Sequence, residues 1–169
     1  MLQWDSGHGC GRERARRKGG TRMALLGIDI GTTGCKVVAY SPAGQPLGRA
    51  YREYPSIISG DWIELDPELV YSHTAACIRE VAGGVDLAQI TAVSVSSMTD
   101  TVTPIGKDGR ALMRSFIPFD ARGIEEAREL ESMYGLDALF ARTGMALHSS
   151  HTICKILWMK RHRPDVLEK

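Results

Sequence analysis

The stretch Leu25-Leu26-Gly27-Ile28-Asp29-Ile30-Gly31-Thr32-Thr33-Gly34-Cys35-Lys36-Val37-Val38-Ala39-Tyr40 reads as an apolar strand, a tight polar turn and a second apolar strand. The first strand carries a single carboxylate, Asp29, near its end. A carboxylate closing a buried strand is unfavourable unless a metal ion, water or hydrogen-bond donors meet it, so Asp29 is expected to serve chemistry. Gly31 and Gly34 are expected to free the backbone for a turn whose N–H groups face a ligand. Thr32 and Thr33 add hydroxyls, and Lys36 brings a positive charge to the same pocket. The set suits a bound polyphosphate.

The glycines fit neither the Gly-Lys-Ser/Thr loop nor the three-glycine dinucleotide turn, and the turn leads into another β-rich run rather than a helix. What remains is a β-hairpin phosphate clamp. The alternative is an ordinary hairpin turn, for which Gly and Thr are common choices. Asp29-Ile30-Gly31-Thr32-Thr33 followed by Lys36 resembles the phosphate-binding hairpin of the actin, Hsp70 and sugar-kinase superfamily. Later segments narrow the resemblance to the FGGY carbohydrate kinases, xylulose-kinase-like in pattern.

The chain has 169 residues, 43% hydrophobic and 24% charged, an ordinary globular composition with length for one core. No apolar run approaches the roughly 18 to 20 residues of a membrane span, and no signal-peptide core is evident, so a soluble cytoplasmic protein is expected. Cys10, Cys35, Cys77 and Cys154 form no CxxC pair, which argues against a zinc site or a disulfide framework. Cys35 lies beside the phosphate turn; a small half-buried role is the simpler reading, with alkylation inhibiting ligand binding as the other.

The net charge of +1 hides an asymmetry. Residues 1–22 hold six Lys/Arg and two acids, giving +4, which leaves 15 basic and 18 acidic residues, or −3, for 23–169. Residues 1–22 have almost no apolar periodicity and are expected to be disordered. The favoured reading is a non-native leader ahead of a start at Met23; the other is a basic arm for nucleic acid or anionic lipid.

Ser41 to Gln45 is a turn and Pro46 to Tyr54 a third strand. A meander followed by alternating helices and strands indicates an α/β fold with a mixed sheet. Asp61 to Pro67 reads as a loop, with Asp66 capping a helix and Pro67 at its first position, and Gly83-Gly84 ends that helix. Ile90 to Ser96 is Val-rich and reads as a strand entering the core. Thr101 to Ile105, a turn at 106–109, and Leu112 to Phe116 read as a hairpin. Helices are expected from about Gly123 to Tyr134, with Ile124, Ala127 and Leu130 packing on the sheet, from Leu136 to Ala141, and from about His151 to a stop near Pro164. His148 and His151 lack a suitably spaced third ligand, so a metal site there is not favoured.

Several of these segments extend the family resemblance. Trp62, Glu64, Asp66 and Pro67 match its Trp-x-Glu-x-Asp-Pro pattern, which implies a loop facing the sugar, although a capping loop with a packed Trp explains it equally well. Ser96-Ser97-Met98-Thr99-Asp100 stands where the family has its sugar-contacting loop; Met98 matches, and Thr99 replaces the xylulose-kinase histidine. Asp120 and Arg122 match the Trp-x-Asp-x-Arg segment, with Pro118 in place of the Trp. An aspartate there can accept from vicinal hydroxyls while the arginine keeps it ionised. The competing reading has Asp120 capping the next helix and Arg122 as a surface ion partner. Lys155, Trp158 and Pro164 match a Lys-x-x-Trp helix followed by Pro, which places Lys155 on a helix surface or between domains.

The resemblance implies a ribonuclease H-like α/β domain with a mixed sheet flanked by helices, spanning 23–169. It implies transfer of the ATP γ-phosphoryl group to a sugar or polyol hydroxyl, with ATP and Mg²⁺ as cofactors. Asp29 would hold Mg²⁺ through water. Gly31, Thr32, Thr33 and Lys36 would meet phosphate, and Met98, Thr99, Asp100, Asp120 and Arg122 the sugar. Xylulose and related ketoses come first; gluconate, glycerol, other polyols and autoinducer-type pentose derivatives are alternatives. The family's catalytic base, an aspartate, lies beyond Lys169, and its C-terminal ATP-binding domain is expected to be missing. The expectation is therefore an N-terminal portion inactive by itself, homodimeric in full-length form if at all. A noncatalytic sugar- or phosphate-binding module is the alternative, and nucleic acid is the least favoured partner.

Overall fold

The computed structural model describes residues 23–168; the segment 1–22, Cys10 within it, and both readings given to that segment lie outside the described residues. Period-two alternation builds the first sheet from β1 (Ala24–Ile30), β2 (Gly34–Tyr40) and β3 (Pro46–Glu53). All three strands pair antiparallel in sequence order. Leu26, Ile28, Cys35, Val37, Ala39 and Ala50 are buried on one face, while Leu25, Asp29, Lys36 and Tyr40 are exposed on the other.

β4 (Ile57–Ser59) and β5 (Trp62–Leu65) form a short hairpin that leads to α1 (Pro67–Gly84). The Asp66 carboxylate caps α1, accepting from the N–H groups of Glu68 at 3.0 Å and Leu69 at 3.3 Å, and Pro67 opens the first turn. Cys77 and Val81 of α1 close the main core over β2 and β3. A single turn of 3₁₀-helix (Leu87–Gln89) then delivers β6 (Ile90–Ser97) parallel to β1, which completes the order β3-β2-β1-β6. The sheet is mixed, as expected.

β6 corrects one expectation. Val93 and Val95 pair with Leu26 and Ile28 and share their face, yet α1 lies over β2 and β3. The two valines are 57% and 60% exposed, so among the described residues β6 is an uncovered edge strand rather than a core strand.

Trp62–Leu65 is likewise a strand rather than a loop, and it pairs with β7 (Ser115–Phe116) in a second, antiparallel sheet β4-β5-β7. The expected hairpin around 106–109 is present only in part. Val102 bridges to Phe116 and Ile105 to Ala111, but no ladder joins them. Pro104 lies between and has no N–H to give.

The remainder is helical: α2 (Ile124–Tyr134), α3 (Leu136–Thr143), α4 (Thr152–His162) and α5 (Pro164–Leu167). Pro164 ends α4 and starts α5. α2 packs chiefly on α4 rather than on the sheet, with Glu126 buried and Ile124 exposed. Among the described residues no helix is long and apolar enough to cross a membrane.

Candidate functional site

Backbone pairing places the first group of candidate residues. Asp29 stands opposite Lys36 on β2 and beside Ser96 on β6, a row across three strands on the face away from α1. Asp29 and Lys36 are both exposed and line one shallow groove of about 220 Å³ with Ser94 and Ser96. Asp29 therefore does not pay the desolvation expected of a buried carboxylate. Its position beside the turn carries the case instead.

The turn is closed by the Gly31 N–H donating to the Gly34 carbonyl at 2.9 Å. Tyr54 braces it from β3's end: its hydroxyl donates to the Gly31 carbonyl at 2.6 Å and its N–H to the Thr33 carbonyl at 3.2 Å. Desolvation, with smaller contributions from Cys35 and Asp29, pushes the Tyr54 phenol up to about 12. The glycines work differently from expectation. Neither Gly31 nor Gly34 is among the residues with positive φ. A Cβ on Gly34 would stand 2.7 Å from the Arg52 carbonyl oxygen and 2.8 Å from the Tyr51 hydroxyl, so Gly34 is there for space. Thr32 is half-buried and Thr33 exposed at the turn's tip.

The second group begins one residue beyond β6. The Met98 N–H donates to the Ile30 carbonyl at 3.2 Å, extending the β1–β6 ladder, so the 31–34 turn and the 98–100 loop leave the sheet side by side. Both emerge at the carboxyl ends of two parallel strands, where open α/β sheets bind ligands. Met98 packs against the main core and lines a cavity of about 540 Å³ with Ile30, Leu65, Tyr71, Thr101 and Thr103. Thr99 is exposed, and Asp100 takes a left-handed conformation at φ 54°.

Asp120 and Arg122 are neither a helix cap nor a surface pair. Their side chains are 0% and 3% exposed and are joined at 2.6 Å. Both Asp120 oxygens are occupied: Oδ1 accepts from the Arg122 N–H and Nε, and Oδ2 accepts from Arg122 Nη2 and from the Ile63 N–H of β5. Arg122 also donates to Glu64 Oε1 at 2.8 Å. Its guanidinium lies 3.9 Å from the Phe116 ring centre, 4.4 Å from Trp62 and 5.0 Å from Trp158, an aromatic box for a planar cation. Helix α2 is capped by Gly123 without a side-chain bond. The pair thus ties β5 and β7 to the chain entering α2.

Lys155 corrects a further expectation. It is not on a helix surface: it is fully buried, and its Nζ donates to the carbonyl oxygens of Asp100 and, at 3.1 Å, of Ile117. The signal was in the sequence, because Lys155 stands three and four residues before Trp158 and Met159, on the apolar stripe of α4.

Buried Cys35 and Cys77 lie with their sulfurs 3.8 Å apart, and burial pushes the Cys77 thiol up. The rings of His148 and His151 are 6.4 Å apart, and among the described residues no group of three or more His, Cys, Asp or Glu is placed to hold a metal on its own. A magnesium ion, which keeps several waters and takes few protein ligands, still fits the exposed Asp29 carboxylate in the groove.

Comparison with known proteins gives a consistent result. Residues 24–169 match the profile described as the FGGY family of carbohydrate kinases, N-terminal domain. Among curated relatives, a glycerol kinase of Rhodospirillum rubrum is 30% identical over 145 residues, covering 83% of this chain and 29% of that protein. A xylulose kinase of Staphylococcus xylosus is 23% identical over 142 residues, covering 83% and 29%. Among solved structures, the gluconate kinase of Lactobacillus acidophilus superposes with a TM-score of 0.79 at 26% identity, covering 88% of this chain and 30% of that one. The chain thus spans less than a third of the length of the relatives it matches. The structural neighbours are sugar kinases, which meets the expectation of an actin/Hsp70/sugar-kinase fold.

Proposed function

Because the chain belongs to the FGGY family of carbohydrate kinases, we propose that it forms the phosphate- and sugar-binding portion of an enzyme that moves the ATP γ-phosphoryl group to a sugar or polyol hydroxyl. The observation that carries this reading is the exit of the 31–34 turn and the 98–100 loop from adjacent parallel strands, joined by the Met98–Ile30 hydrogen bond. A phosphate clamp and a sugar-contacting loop placed side by side are what phosphoryl transfer requires, since its catalysis is mainly positioning and charge neutralisation.

In this reading the Thr32 and Thr33 hydroxyls and Lys36 bind phosphate oxygens, and the 31–34 turn lets backbone approach them. Asp29 would hold Mg²⁺ through water, and neutralisation of phosphate charge is the chemistry the ion would supply there. Met98, Thr99 and Asp100 meet the sugar, Met98 as an apolar wall and the other two as hydrogen-bonding groups. Asp120 and Arg122 act from beneath, fixing the segment that follows Ile117 while their own polar atoms stay occupied within the protein.

Xylulose or a related ketose is our first choice of acceptor. The relatives' names keep glycerol and gluconate in the panel, and autoinducer-type pentose derivatives complete it. Coupled ADP release with ATP, Mg²⁺ and this panel, on the 169-residue chain and on the longest reading frame that contains it, tests the proposal. Turnover of one acceptor, reduced on the order of 100-fold by Asp29→Ala, is expected. Absence of turnover in every combination contradicts it and leaves a noncatalytic binding module.

A further inference from the structure

Burying an ammonium is unfavourable unless it is well hydrogen-bonded, and Lys155 is 0% exposed in α4. Among the described residues its ε-amino group forms no ion pair within 4 Å; instead it donates to two backbone carbonyls, of Asp100 and Ile117. Those carbonyls belong to the loop assigned above to the sugar and to the segment that supports it: Asp100 closes the 98–100 loop, and Ile117 begins the stretch fixed by Asp120 and Arg122.

Two further features stand at the same corner. Asp100 is the one residue other than glycine with positive φ among the described residues, and such strain persists only where its surroundings enforce it. The next residue, Thr101, carries a buried hydroxyl with no hydrogen-bond partner, on a residue that lines the cavity beside Met98. The left-handed Asp100 and the Thr101 hydroxyl thus lie on the same short stretch that Lys155 holds. A purely structural role would be served as well or better by an apolar side chain of similar volume.

We propose that Lys155 is a positioning residue for the sugar-binding edge: its ammonium holds the carbonyls of Asp100 and Ile117 together and so keeps the left-handed turn at Asp100 that presents Thr99 and Asp100 to a sugar. This rests on the kinase reading above. Burial lowers the ammonium's pKa, whereas the Asp100 and Asp120 carboxylates raise it, so its charge is linked to both segments.

The test uses the active protein and acceptor identified by ADP release. Lys155→Met is expected to raise the acceptor KM at least tenfold while the ATP KM stays within twofold, and n-propylamine added to Lys155→Ala is expected to restore the acceptor KM. Where neither variant folds, the wild-type protein labelled with ¹⁵N-lysine decides. The slowly exchanging Lys155 Nζ resonance is expected to shift with acceptor and to stay in place with MgADP. Equal rises in both KM values, no rise at all, or a resonance that ignores the acceptor overturns the assignment of Lys155 alone. If the wild-type protein turns over no member of the panel, the kinase reading falls and the role of Lys155 falls with it.

Discussion

At the scale of single residues, the groups around the site differ in what holds them, and the differences are measurable. Tyr54 bonds the phosphate turn through a buried hydroxyl whose pKa is raised to about 12. The folded chain keeps that proton while an unfolded phenol releases it near 10, so this contribution is complete below pH 10 and is lost between 10 and 12. Tyr54→Phe should remove this alkaline loss, about 2 kcal/mol between pH 9 and 12, as read from urea unfolding of both chains across that range. Arg122 is held by Asp120, Glu64 and three aromatic rings, a geometry that a lysine cannot reproduce. Arg122→Lys should destabilise the fold by about 3 kcal/mol in the same assay, because a buried carboxylate loses its fork-shaped partner. Asp120 and Arg122 stood out in the sequence, whereas Tyr54 was legible only as the end of a strand, and the surroundings of all three were not legible. The reading of Asp120 as a helix cap with Arg122 as its surface partner fails because two residues in extended chain carry no sign of the strand that will cover them.

Among the elements, strands with strict alternation were readable and short ones were not. β1, β2 and β3 appear where the apolar pattern puts them, as does α1 with its Asp66 cap and Pro67 start. Trp62–Leu65 alternates over only four residues, too few to separate a strand from a loop, and its partner β7 is 50 residues away in the chain. The turn glycines show the limit of composition from another side. Their presence announced a turn, but whether a glycine supplies an angle or a vacancy depends on β3 lying against it. Gly34→Ala should therefore destabilise by about 1 to 3 kcal/mol, since the new methyl meets backbone at 2.7 Å. Gly83→Ala, in open space within α1, should instead stabilise by about 0.5 to 1 kcal/mol. Thermal unfolding of the two variants beside the parent chain tests both signs at once.

For the molecule as a whole, the uncovered strand β6 is the feature that sequence patterning misjudged. Val93 and Val95 look like core residues and share the buried face, but α1 sits over the opposite half of the sheet. An uncharged edge strand with exposed valines invites pairing with a second copy, as expected of an exposed apolar wall. Light scattering should show the mass of the 169-residue chain rising with concentration, and Val95→Lys should suppress that rise. The site itself was half legible. The hairpin and the 98–100 loop were recognisable as motifs, whereas their convergence depends on β6 running parallel to β1, and the link through Lys155 depends on a helix 55 residues further on. The central claim is that the Asp29-to-Lys36 hairpin binds the phosphates of MgATP. Its most direct measurement is ³¹P NMR of MgATP titrated with the wild-type chain and with Asp29→Ala. The account predicts that the wild-type chain broadens or shifts the β- and γ-phosphate signals and that the variant leaves them as in free MgATP; unchanged signals with the wild-type chain, or the same change with both, would contradict it.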